Sequence, residues 1–392
     1  MRIAVSGLGV VSALGVGVER NFAALAAEQT GISSEPHILE TAHRLPVGEL
    51  QLTNDELHRL CDLSPREHLS RTALLGLLAV REAMADARLP EGLRVGLVSA
   101  TSVGGMDLTE HFFRPFMEAD GKGRLRDVRM HDCAASTELI AAHCGIRGYR
   151  TTISTACSSS ANAILLGMKL LRHKLLDAVV VGGTDALSAF TLNGFQSLMI
   201  LDKELSRPFD ASRRGLNLGE GAGYLVLQRE GELSRAPYCY VAGAANSNDA
   251  HHQTASSEEG EGAFRAMQEA LQAGGVTPSE VDYINVHGTG TGNNDLSEGR
   301  AMCRLFGERM PLFSSTKGFT GHALAAAGGI EAVFSSLAIA RGVVYANLRF
   351  REPIAEHGLR PVQHHREGCA IRTVLSNSFG FGGNCSAVLF TK

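Results

Sequence analysis

The sequence predicts an α/β protein, and two patterns along its 392 residues lead to that prediction. Short apolar runs rich in β-branched residues alternate with longer Ala- and Leu-rich segments whose apolar residues recur at three- and four-residue spacing. Continuous apolar runs are typical of buried, largely parallel strands, and their alternation with helices is typical of α/β folds. We therefore expect a central, mostly parallel sheet covered by helices.

The predicted strands are the short apolar runs at 3–6, 94–100, 178–183, 224–228, 238–241, 283–286 and 387–390. The predicted helices are the amphipathic segments at 72–87, 136–144, 158–173, 262–273, 295–306 and 328–341. A charged stretch at 228–237 that ends in proline is predicted to separate an N-terminal half, 1–235, from a C-terminal half, 236–392. Each half opens with a strand and later presents a strand, a small-residue loop and a helix, so we expect a duplicated unit.

Composition and charge exclude several classes of protein. The 44 glycines show no three-residue period, which excludes a collagen-like fibre. Eight cysteines without a CxxC pair are too few for a disulfide scaffold and indicate reduced thiols in the cytoplasm. The formal net charge of −4 is not the strongly basic charge that is typical of nucleic-acid-binding proteins. Glycines interrupt the uncharged stretch 3–18, which argues against a signal peptide, and elsewhere no apolar run reaches the roughly 18 residues of a membrane span.

Residues 7–12 (GLGVVS) nearly match a dinucleotide-binding fingerprint after a strand. Serine replaces the third glycine, and no helix signal follows immediately. We interpret this segment as a glycine-bearing loop between a strand and a helix, and we expect no bound dinucleotide.

Cys157 is the first candidate for chemistry. It lies in the run 154–162 (STACSSSAN), between a strand-like segment and a predicted helix. At such a junction the N-terminal N–H groups of the helix stabilise a thiolate. The small neighbours let an acyl group approach the sulfur, and the amide of Cys157 can face an oxyanion. This motif alone leaves open that Cys157 is a buried structural cysteine.

Two histidines in glycine-rich loops are the next candidates. His287 lies in 286–291 (VHGTGT) and His322 ends 317–322 (KGFTGH), each after a strand-like run. An imidazole in such a loop is suited to donate a hydrogen bond to a substrate carbonyl, although each could equally be a satisfied structural histidine. One cysteine and two histidines lack a fourth soft ligand, which argues against zinc.

These motifs belong to one ordered set that spans nearly the whole chain. The runs 154–160, 286–291 with Asp295 and Glu298, 317–329 and 377–383 (NSFGFGG) resemble the elongating type of β-ketoacyl-acyl-carrier-protein synthase. The run 207–210 (RPFD), with Gly215 and 219–223 (GEGAG), resembles a further signature of that family. The resemblance implies a thiolase-like, duplicated α/β fold of five layers, α-β-α-β-α, which is usually dimeric.

The resemblance also implies an activity and the residues that perform it. The reaction is a decarboxylative Claisen condensation of an acyl thioester with malonyl-acyl carrier protein, and Cys157 carries the acyl chain as a thioester. His287 and His322 correspond to the pair that holds the malonyl thioester carbonyl. Lys317 corresponds to a cation beside the second histidine, and Glu298 to a buried acid that orders the network. Two imidazole donors suit an enolate formed by decarboxylation.

The family's oxyanion hole corresponds to the amides of Cys157 and Phe381, and Phe381 also corresponds to a gate. The residues that resemble the phosphopantetheine site are Thr289, Thr291, Phe379 and Gly380. Because the pantetheine arm belongs to the substrate carrier, no cofactor and no metal are expected. The expected partners are an acyl carrier protein, acyl and malonyl thioesters, and a second subunit, in either a homodimer or a heterodimer with a related synthase or chain-length-factor subunit.

Several departures from the family pattern leave the catalytic positions unchanged. Asn384-Cys385 replaces the usual Thr-Asn, Ala327 stands where glycine is common, and Gly292-Asn293 replaces a frequent Pro-hydrophobic pair. These departures argue against membership of the housekeeping fatty-acid branch. The run 215–220 (GLNLGE) and the serines after Cys157 resemble synthases of specialised pathways, such as polyketide or aryl-polyene assembly.

Two other functions stay open at this stage. A thiolase-type acyl-CoA acyltransferase would need a second reactive cysteine, and Cys385 lacks the C-x-G flank of that family, so we interpret it as a small buried residue. A non-catalytic subunit resembling a chain-length factor is argued against by the presence of Cys157, His287 and His322.

The remaining candidates are surface charges and a possible metal group. Five arginines could dock an acidic carrier protein or be ordinary solvated charges: Arg66, Arg71, Arg207, Arg213 and Arg214. Four residues match no common metal-site spacing: His131, Cys133, His143 and Cys144.

Overall fold

The computed structural model describes residues 2–64, 66–118 and 122–392. Its strands are β1 (Ile3–Ser12), β2 (Gly15–Val16), β3 (Val47–Gly48), β4 (Val95–Ala100), β5 (Arg150–Ile153), β6 (Ala178–Asp185), β7 (Leu218–Gly219), β8 (Gly221–Arg229), β9 (Cys239–Asn248), β10 (Tyr283–Asn285), β11 (Leu312–Ser314), β12 (Thr373–Gly380) and β13 (Asn384–Thr391). Its α-helices are α1 (Val18–Ala26), α2 (Asn54–Leu60), α3 (Arg71–Ala87), α4 (Met106–Glu118), α5 (Leu125–Val128), α6 (Cys133–His143), α7 (Ser159–Arg172), α8 (Ala189–Ser197), α9 (Glu261–Gly274), α10 (Gly292–Phe306), α11 (Lys317–Thr320) and α12 (Ala327–Arg341). Short 3₁₀ turns occupy Pro278–Glu280, Leu324–Ala326 and Phe381–Gly383.

The main sheet has the strand order β11-β10-β12-β13-β9-β1-β8-β6-β4-β5. From the centre outwards, β1, β8, β6, β4 and β5 are joined by two antiparallel and then two parallel pairings. On the other side, β9, β13, β12, β10 and β11 repeat the same sequence of pairings. A short antiparallel contact between Ile3–Val5 of β1 and 239–241 of β9 joins the two sets. The chain therefore contains one sheet plan twice.

The expectation of a mostly parallel sheet is wrong for its centre. Parallel pairs occupy the two ends of the sheet, whereas the central pairs are antiparallel. The apolar runs come from burial and not from strand direction, since every residue of β1 and β8 is buried. Any strand covered on both faces loses the alternation of polar residues.

Helices separate the two sets of strands into layers. Helix α3 packs on β1, β8 and β6 on the outside of the first half, and α9 packs on β9 and β13 on the outside of the second. Helices α7 and α12 contact strands of both halves and form the middle layer. The five layers are α-β-α-β-α, which confirms the predicted fold class.

Helix α12 belongs to a long apolar segment, Leu324–Arg341. By length and composition Leu324–Arg341 could cross a membrane, but 89% of that window is buried inside the protein. Its apolar character is that of a core helix, because it lies between two layers of strands.

The glycines of residues 7–12 lie within a strand and not in the expected loop. A Cβ on Gly9 would lie 1.9 Å from the carbonyl oxygen of Ala79 in α3, and one on Gly7 would lie 2.2 Å from that of Ala83. These glycines let α3 approach the backbone of β1 directly. The first two glycines of the apparent fingerprint therefore serve helix–sheet packing.

Replacing Gly9 with alanine is expected to destabilise the protein. The added methyl group meets backbone atoms that cannot rotate away, so we expect a loss of about 1–3 kcal/mol in the free energy of unfolding. Urea denaturation measures this loss. The matched control is Gly194→Ala in α8, where a Cβ meets nothing within 4 Å. There alanine should be neutral or gain up to about 1 kcal/mol from helix propensity. Equal stability of the Gly9→Ala variant and the wild type would contradict the packing argument.

Candidate active site

Cys157 lies between β5 and α7, in a loop that is held from both sides. The preceding residue, Ala156, has a left-handed φ of 53°, which is uncommon outside glycine. The Ser159 hydroxyl accepts a hydrogen bond from the Thr155 amide at 2.8 Å and donates one to the Ala156 carbonyl at 2.5 Å. A Cβ on Gly380 would lie 3.0 Å from the Cys157 nitrogen. Small residues thus allow β12 to approach the cysteine backbone closely.

Both predicted histidines lie beside this cysteine. His322 Nε2 is 3.0 Å from Cys157 Sγ. The His287 and His322 rings meet edge to face, with centroids 5.4 Å apart. All three side chains are buried. The first half of the chain supplies the cysteine and the second half supplies both histidines, so the site forms only where the halves meet.

The three side chains line a cavity of about 170 Å³ that also contains the residues expected to bind the pantetheine arm. Its other walls include Thr289, Thr291, Phe379, Gly380, Phe381, Phe195, Ile200, Arg214 and Leu216. The Thr289 and Thr291 hydroxyl oxygens are 3.0 Å apart, and the Phe195 and Phe381 rings stack with centroids 5.7 Å apart. Every cysteine, histidine, threonine and phenylalanine predicted for the site therefore lies around one space.

Lys317 lies behind His287 and is almost fully buried. Its ammonium donates to the His287 carbonyl at 2.7 Å, lies 3.3 Å from His287 Nδ1, and forms an ion pair with Glu331. An ammonium can only donate, so Nδ1 of His287 accepts and the ring proton lies on Nε2. The lysine thereby orients His287 as a donor on its open side.

Glu331 is the acidic partner that the sequence analysis did not identify. Burial raises the pKa of Glu331 to about 7, and the neighbouring Lys317 acts in the opposite direction. A signal for it exists in the sequence, because Glu331 is the single charged residue between Leu324 and Ala340 in the apolar segment of α12. A lone acid in a core helix requires a buried cationic partner.

Glu298 holds the loop that carries His287. Its carboxylate accepts hydrogen bonds from the amides of His287 and Gly288, both at 2.9 Å, and from Asn377 Nδ2 at 3.0 Å. Burial raises the pKa of Glu298, and these hydrogen bonds lower it. With its oxygens occupied by fixed donors, Glu298 is placed to position His287.

The resting cysteine is a thiol. Burial raises the pKa of Cys157 to about 11, while the charge of Lys317 and the amides of Phe381 and Cys157 itself act in the opposite direction. Burial thus outweighs the thiolate stabilisation that the position before α7 predicts. The same burial, with Lys317 nearby, lowers the pKa of His287 and of His322 well below the usual range, so both imidazoles are neutral.

The raised pKa predicts how Cys157 reacts with a neutral alkylating agent. The thiolate fraction should grow about tenfold per pH unit between pH 7 and 10, and the alkylation rate with iodoacetamide should follow it without a plateau. Peptide mass spectrometry measures this rate for Cys157, with half-buried Cys369 as an internal reference. A plateau below pH 8 would contradict the raised pKa and indicate a thiolate paired with a histidine.

For one of the five arginines, Arg71, the prediction of a docking role on the surface is wrong. Its guanidinium is buried and donates to both carboxylate oxygens of Glu220, at 2.6 to 3.1 Å, because Arg71 begins a helix that faces the core. Arg213 donates to the carbonyls of Thr291 and Gly292 at the wall of the cavity. The remaining three are half-buried Arg207 and exposed Arg66 and Arg214.

Cys385 is buried on β13, opposite Phe379, and burial raises its pKa to about 12, as expected of a small core residue. Across the described ranges, no group of three or more His, Cys, Asp or Glu side chains is arranged to hold a metal ion.

The chain matches two known protein-family models. The family model of the β-ketoacyl synthase N-terminal domain matches residues 1–232, and that of the C-terminal domain matches residues 238–351. The 3-oxoacyl-[acyl-carrier-protein] synthase 2 of Staphylococcus aureus (strain MRSA252) is 32% identical and aligns over 100% of this chain and 98% of its own.

Solved structures show the same fold. The ishigamide ketosynthase/chain length factor superposes with a TM-score of 0.94 at 28% identity, over 100% of this chain and 99% of that one. A type II polyketide ketosynthase, AntDE, described in complex with its acyl-carrier protein AntF and bound to the hexaketide, superposes with a TM-score of 0.88 at 26% identity over the same shares.

The family models cover most of the chain, and the curated relative aligns over all of it. Both confirm the resemblance drawn from the motifs, and they favour neither a thiolase nor a non-catalytic subunit. The chain belongs to the β-ketoacyl synthase family of condensing acyltransferases.

Proposed function

We propose that this enzyme elongates a carrier-bound acyl chain, with Cys157, His287 and His322 in direct contact with the reacting groups. The observation that supports this best is the 3.0 Å contact between Cys157 Sγ and His322 Nε2 inside a buried cavity, with the second imidazole beside it. The arm of the acyl carrier enters along Thr289 and Thr291, which line the same cavity.

In the first half-reaction, the acyl chain moves to the enzyme. His322 accepts the thiol proton while Cys157 Sγ attacks the acyl thioester, because an unassisted thiol with a pKa of about 11 supplies very little thiolate. The amides of Cys157 and Phe381 stabilise the tetrahedral oxyanion. Collapse of that intermediate breaks the bond to the pantetheine sulfur, which takes the proton back from His322 and leaves as a free thiol.

In the second half-reaction, malonyl-carrier protein occupies the emptied arm site. The Nε2–H of neutral His287 donates to the malonyl thioester carbonyl. His322 donates with it after its ring proton has moved from Nδ1 to Nε2, a tautomer that acylation of Cys157 permits by removing the S–H donor. Loss of CO2 leaves its electron pair in an enolate, and these donors stabilise it. The enolate carbon attacks the acyl-Cys157 carbonyl, the carbon–sulfur bond breaks, and the cysteine thiolate regains a proton from water.

Lys317 and Glu298 act as positioning residues in this scheme. Lys317 keeps the ring proton of His287 on Nε2, and Glu298 holds the loop amides of His287 and Gly288. The scheme uses no metal ion and no bound cofactor, since the enolate is produced by decarboxylation and stabilised by hydrogen bonds alone.

The partners follow from the reaction. An acyl carrier protein delivers both thioesters, as the relative in complex with its carrier protein supports. A second subunit, either a copy of this chain or a chain-length-factor-like relative, completes the assembly. The edge strand β5 is free to pair with another strand in the described structure. All eight cysteines are free, which supports a reducing cytoplasm. Size-exclusion chromatography of the chain alone distinguishes a homodimer from a subunit that needs a different partner.

Two measurements test the reaction itself. Intact mass spectrometry after incubation with an acyl-carrier protein should show one acyl group on Cys157. Radiolabelled malonyl-carrier protein should then release CO2 as the β-ketoacyl product forms. Acylation by acyl-CoA with no CO2 release from malonyl-carrier protein would support a thiolase instead, and absence of both steps would support a non-catalytic subunit.

A further inference from the structure

The segment that carries His322 bends sharply just after the histidine. The His322 backbone is held by hydrogen bonds with Asn217 and Gly219 of the first half of the chain. Two residues further on, Leu324 has a left-handed φ of 49°. This conformation is costly for a residue other than glycine and persists only where surrounding groups fix it. The distance between His322 Nε2 and Cys157 Sγ therefore depends on the groups that hold this bend.

Ala325, the third residue after His322, is tied to the first half of the chain through both of its backbone groups. Its amide donates to Asp185 Oδ2 at 2.8 Å, at the end of β6. Its carbonyl accepts a hydrogen bond from the Ser160 hydroxyl, in the first turn of α7. Asp185 and Ser160 are both fully buried. These two side chains thus hold the bend after His322 against the half that carries the nucleophile.

The Asp185 carboxylate is held by donors on both of its oxygens. Oδ1 accepts from the Thr101 hydroxyl at 2.5 Å and from the amides of Ser102 and Val103 at 3.0 and 3.3 Å. Oδ2 accepts from the Ser102 amide at 3.0 Å and from Ala325. Burial raises the pKa of Asp185 to about 6, and these hydrogen bonds act in the opposite direction. Oδ2 is the oxygen that reaches the second half of the chain.

We propose that Asp185 and Ser160 are positioning residues for the acylation of Cys157: through Ala325 they keep His322 within reach of the thiol proton. Neither side chain lines the cavity around Cys157 in the described structure, so both act through the histidine and not on the substrate. A misplacement of about 1 Å in a reacting group can cost about 10²-fold in rate. The inference rests on the proposed acyl-Cys157 intermediate and adds the residues that align its formation.

Asp185→Asn is the selective variant for this role. An amide keeps one acceptor oxygen and replaces the other with an NH₂ donor. Three donor groups lie within bonding distance of Oδ1 and two of Oδ2, so we expect the amide oxygen at the Oδ1 position. The NH₂ group then faces the Ala325 amide, donor against donor. The tie to the second half is lost, while the contacts with 101–103 remain.

The experiment follows acylation of Cys157 by an acyl-carrier thioester, using intact mass spectrometry over a range of carrier concentrations. In Asp185→Asn the maximal rate should fall about ten- to a hundredfold. The half-saturating carrier concentration should not change, because the residues that line the cavity are untouched. Ser160→Ala removes the tie to the Ala325 carbonyl and should slow the maximal rate by a smaller factor.

Thr101→Val is the matched control. It removes a hydrogen bond from Oδ1 of the same carboxylate and leaves the Ala325 amide on Oδ2. Valine has nearly the shape of threonine, so this variant loses a buried hydrogen bond without a change in packing. It should keep the wild-type rate of acylation.

Alkylation with iodoacetamide separates misalignment of His322 from loss of structure. Burial is the main cause of the raised pKa of Cys157, and the charge of Asp185 adds to it. Asp185→Asn removes that charge, so its Cys157 should be alkylated at least as fast as in the wild type, although its enzymatic acylation is slow. Buried Cys385 reports unfolding, and its alkylation should stay as slow as in the wild type.

The outcomes separate this inference from the proposed function. A wild-type acylation rate in folded Asp185→Asn, an equal loss in Thr101→Val, or slower alkylation of Cys157 would overturn the positioning role and leave the condensation intact. If Cys385 becomes reactive in Asp185→Asn, the Ser160→Ala variant decides, and a wild-type rate there overturns the role. Absence of acyl-Cys157 in the wild type would overturn the proposed function as well.

Discussion

Replacing Cys157 with alanine should abolish chain elongation, with a loss of at least about 10⁴-fold in the rate of β-ketoacyl product formation, because Cys157 is the only thiol among the described residues that line the cavity. The substitution removes one sulfur atom from a buried site, so the protein should remain folded. Release of CO2 from malonyl-carrier protein should continue, since the two imidazole donors remain in place. The measurement is a paired assay of product formation and CO2 release.

Cys385→Ala is the matched control for this prediction. Cys385 is buried like Cys157 but lies on β13 and does not line the cavity around Cys157. This variant should keep elongation within a small factor of the wild-type rate. Retained condensation in Cys157→Ala, or a comparable loss in Cys385→Ala, would show that the acyl chain is carried elsewhere.

The second large effect concerns stability, and it comes from Arg71. We expect Arg71→Met to lower the free energy of unfolding by about 3–5 kcal/mol, because it leaves Glu220 buried without its cation. Glu49 and Asp107 also lie near this guanidinium and would lose its charge. Urea denaturation, monitored by circular dichroism, provides the measurement.

Arg66→Met is the control, since Arg66 is exposed and should change stability by less than about 0.5 kcal/mol. The double variant Arg71→Met/Glu220→Leu should recover part of the loss, because it removes the unpaired charge. A loss below about 1 kcal/mol in Arg71→Met would contradict the buried ion pair and return Arg71 to the list of surface charges.

The residues proposed for catalysis could be picked out from the sequence because each lies in a local motif. Cys157 lies among small residues at a strand–helix junction, and the histidines lie in glycine-rich loops. The residues next to each of them in the sequence therefore indicate its local surroundings. Cys157 and the two histidines are far apart in sequence, and only the resemblance to a known family brought them together before the fold was known.

Residues whose roles depend on distant partners could not be predicted in this way. The buried ion pair of Arg71 joins positions 149 residues apart, and nothing near Arg71 distinguishes it from the exposed Arg66. The sequence did not predict the central antiparallel pairings for a related reason. A strand that is buried on both faces is apolar throughout, whether it pairs with parallel or antiparallel neighbours.

The position of β1 at the centre of the sheet has a consequence for synthesis of the chain. Ser12 pairs with Gly221, and Ile3 pairs with both Arg229 and Val241, so this first strand finds its neighbours only after most of the protein has left the ribosome. At about 5–20 residues per second, an apolar segment waits on the order of ten seconds or more. Such high contact order slows folding and exposes the nascent chain to aggregation. We therefore expect chaperones that shield early apolar segments to raise the yield of active enzyme.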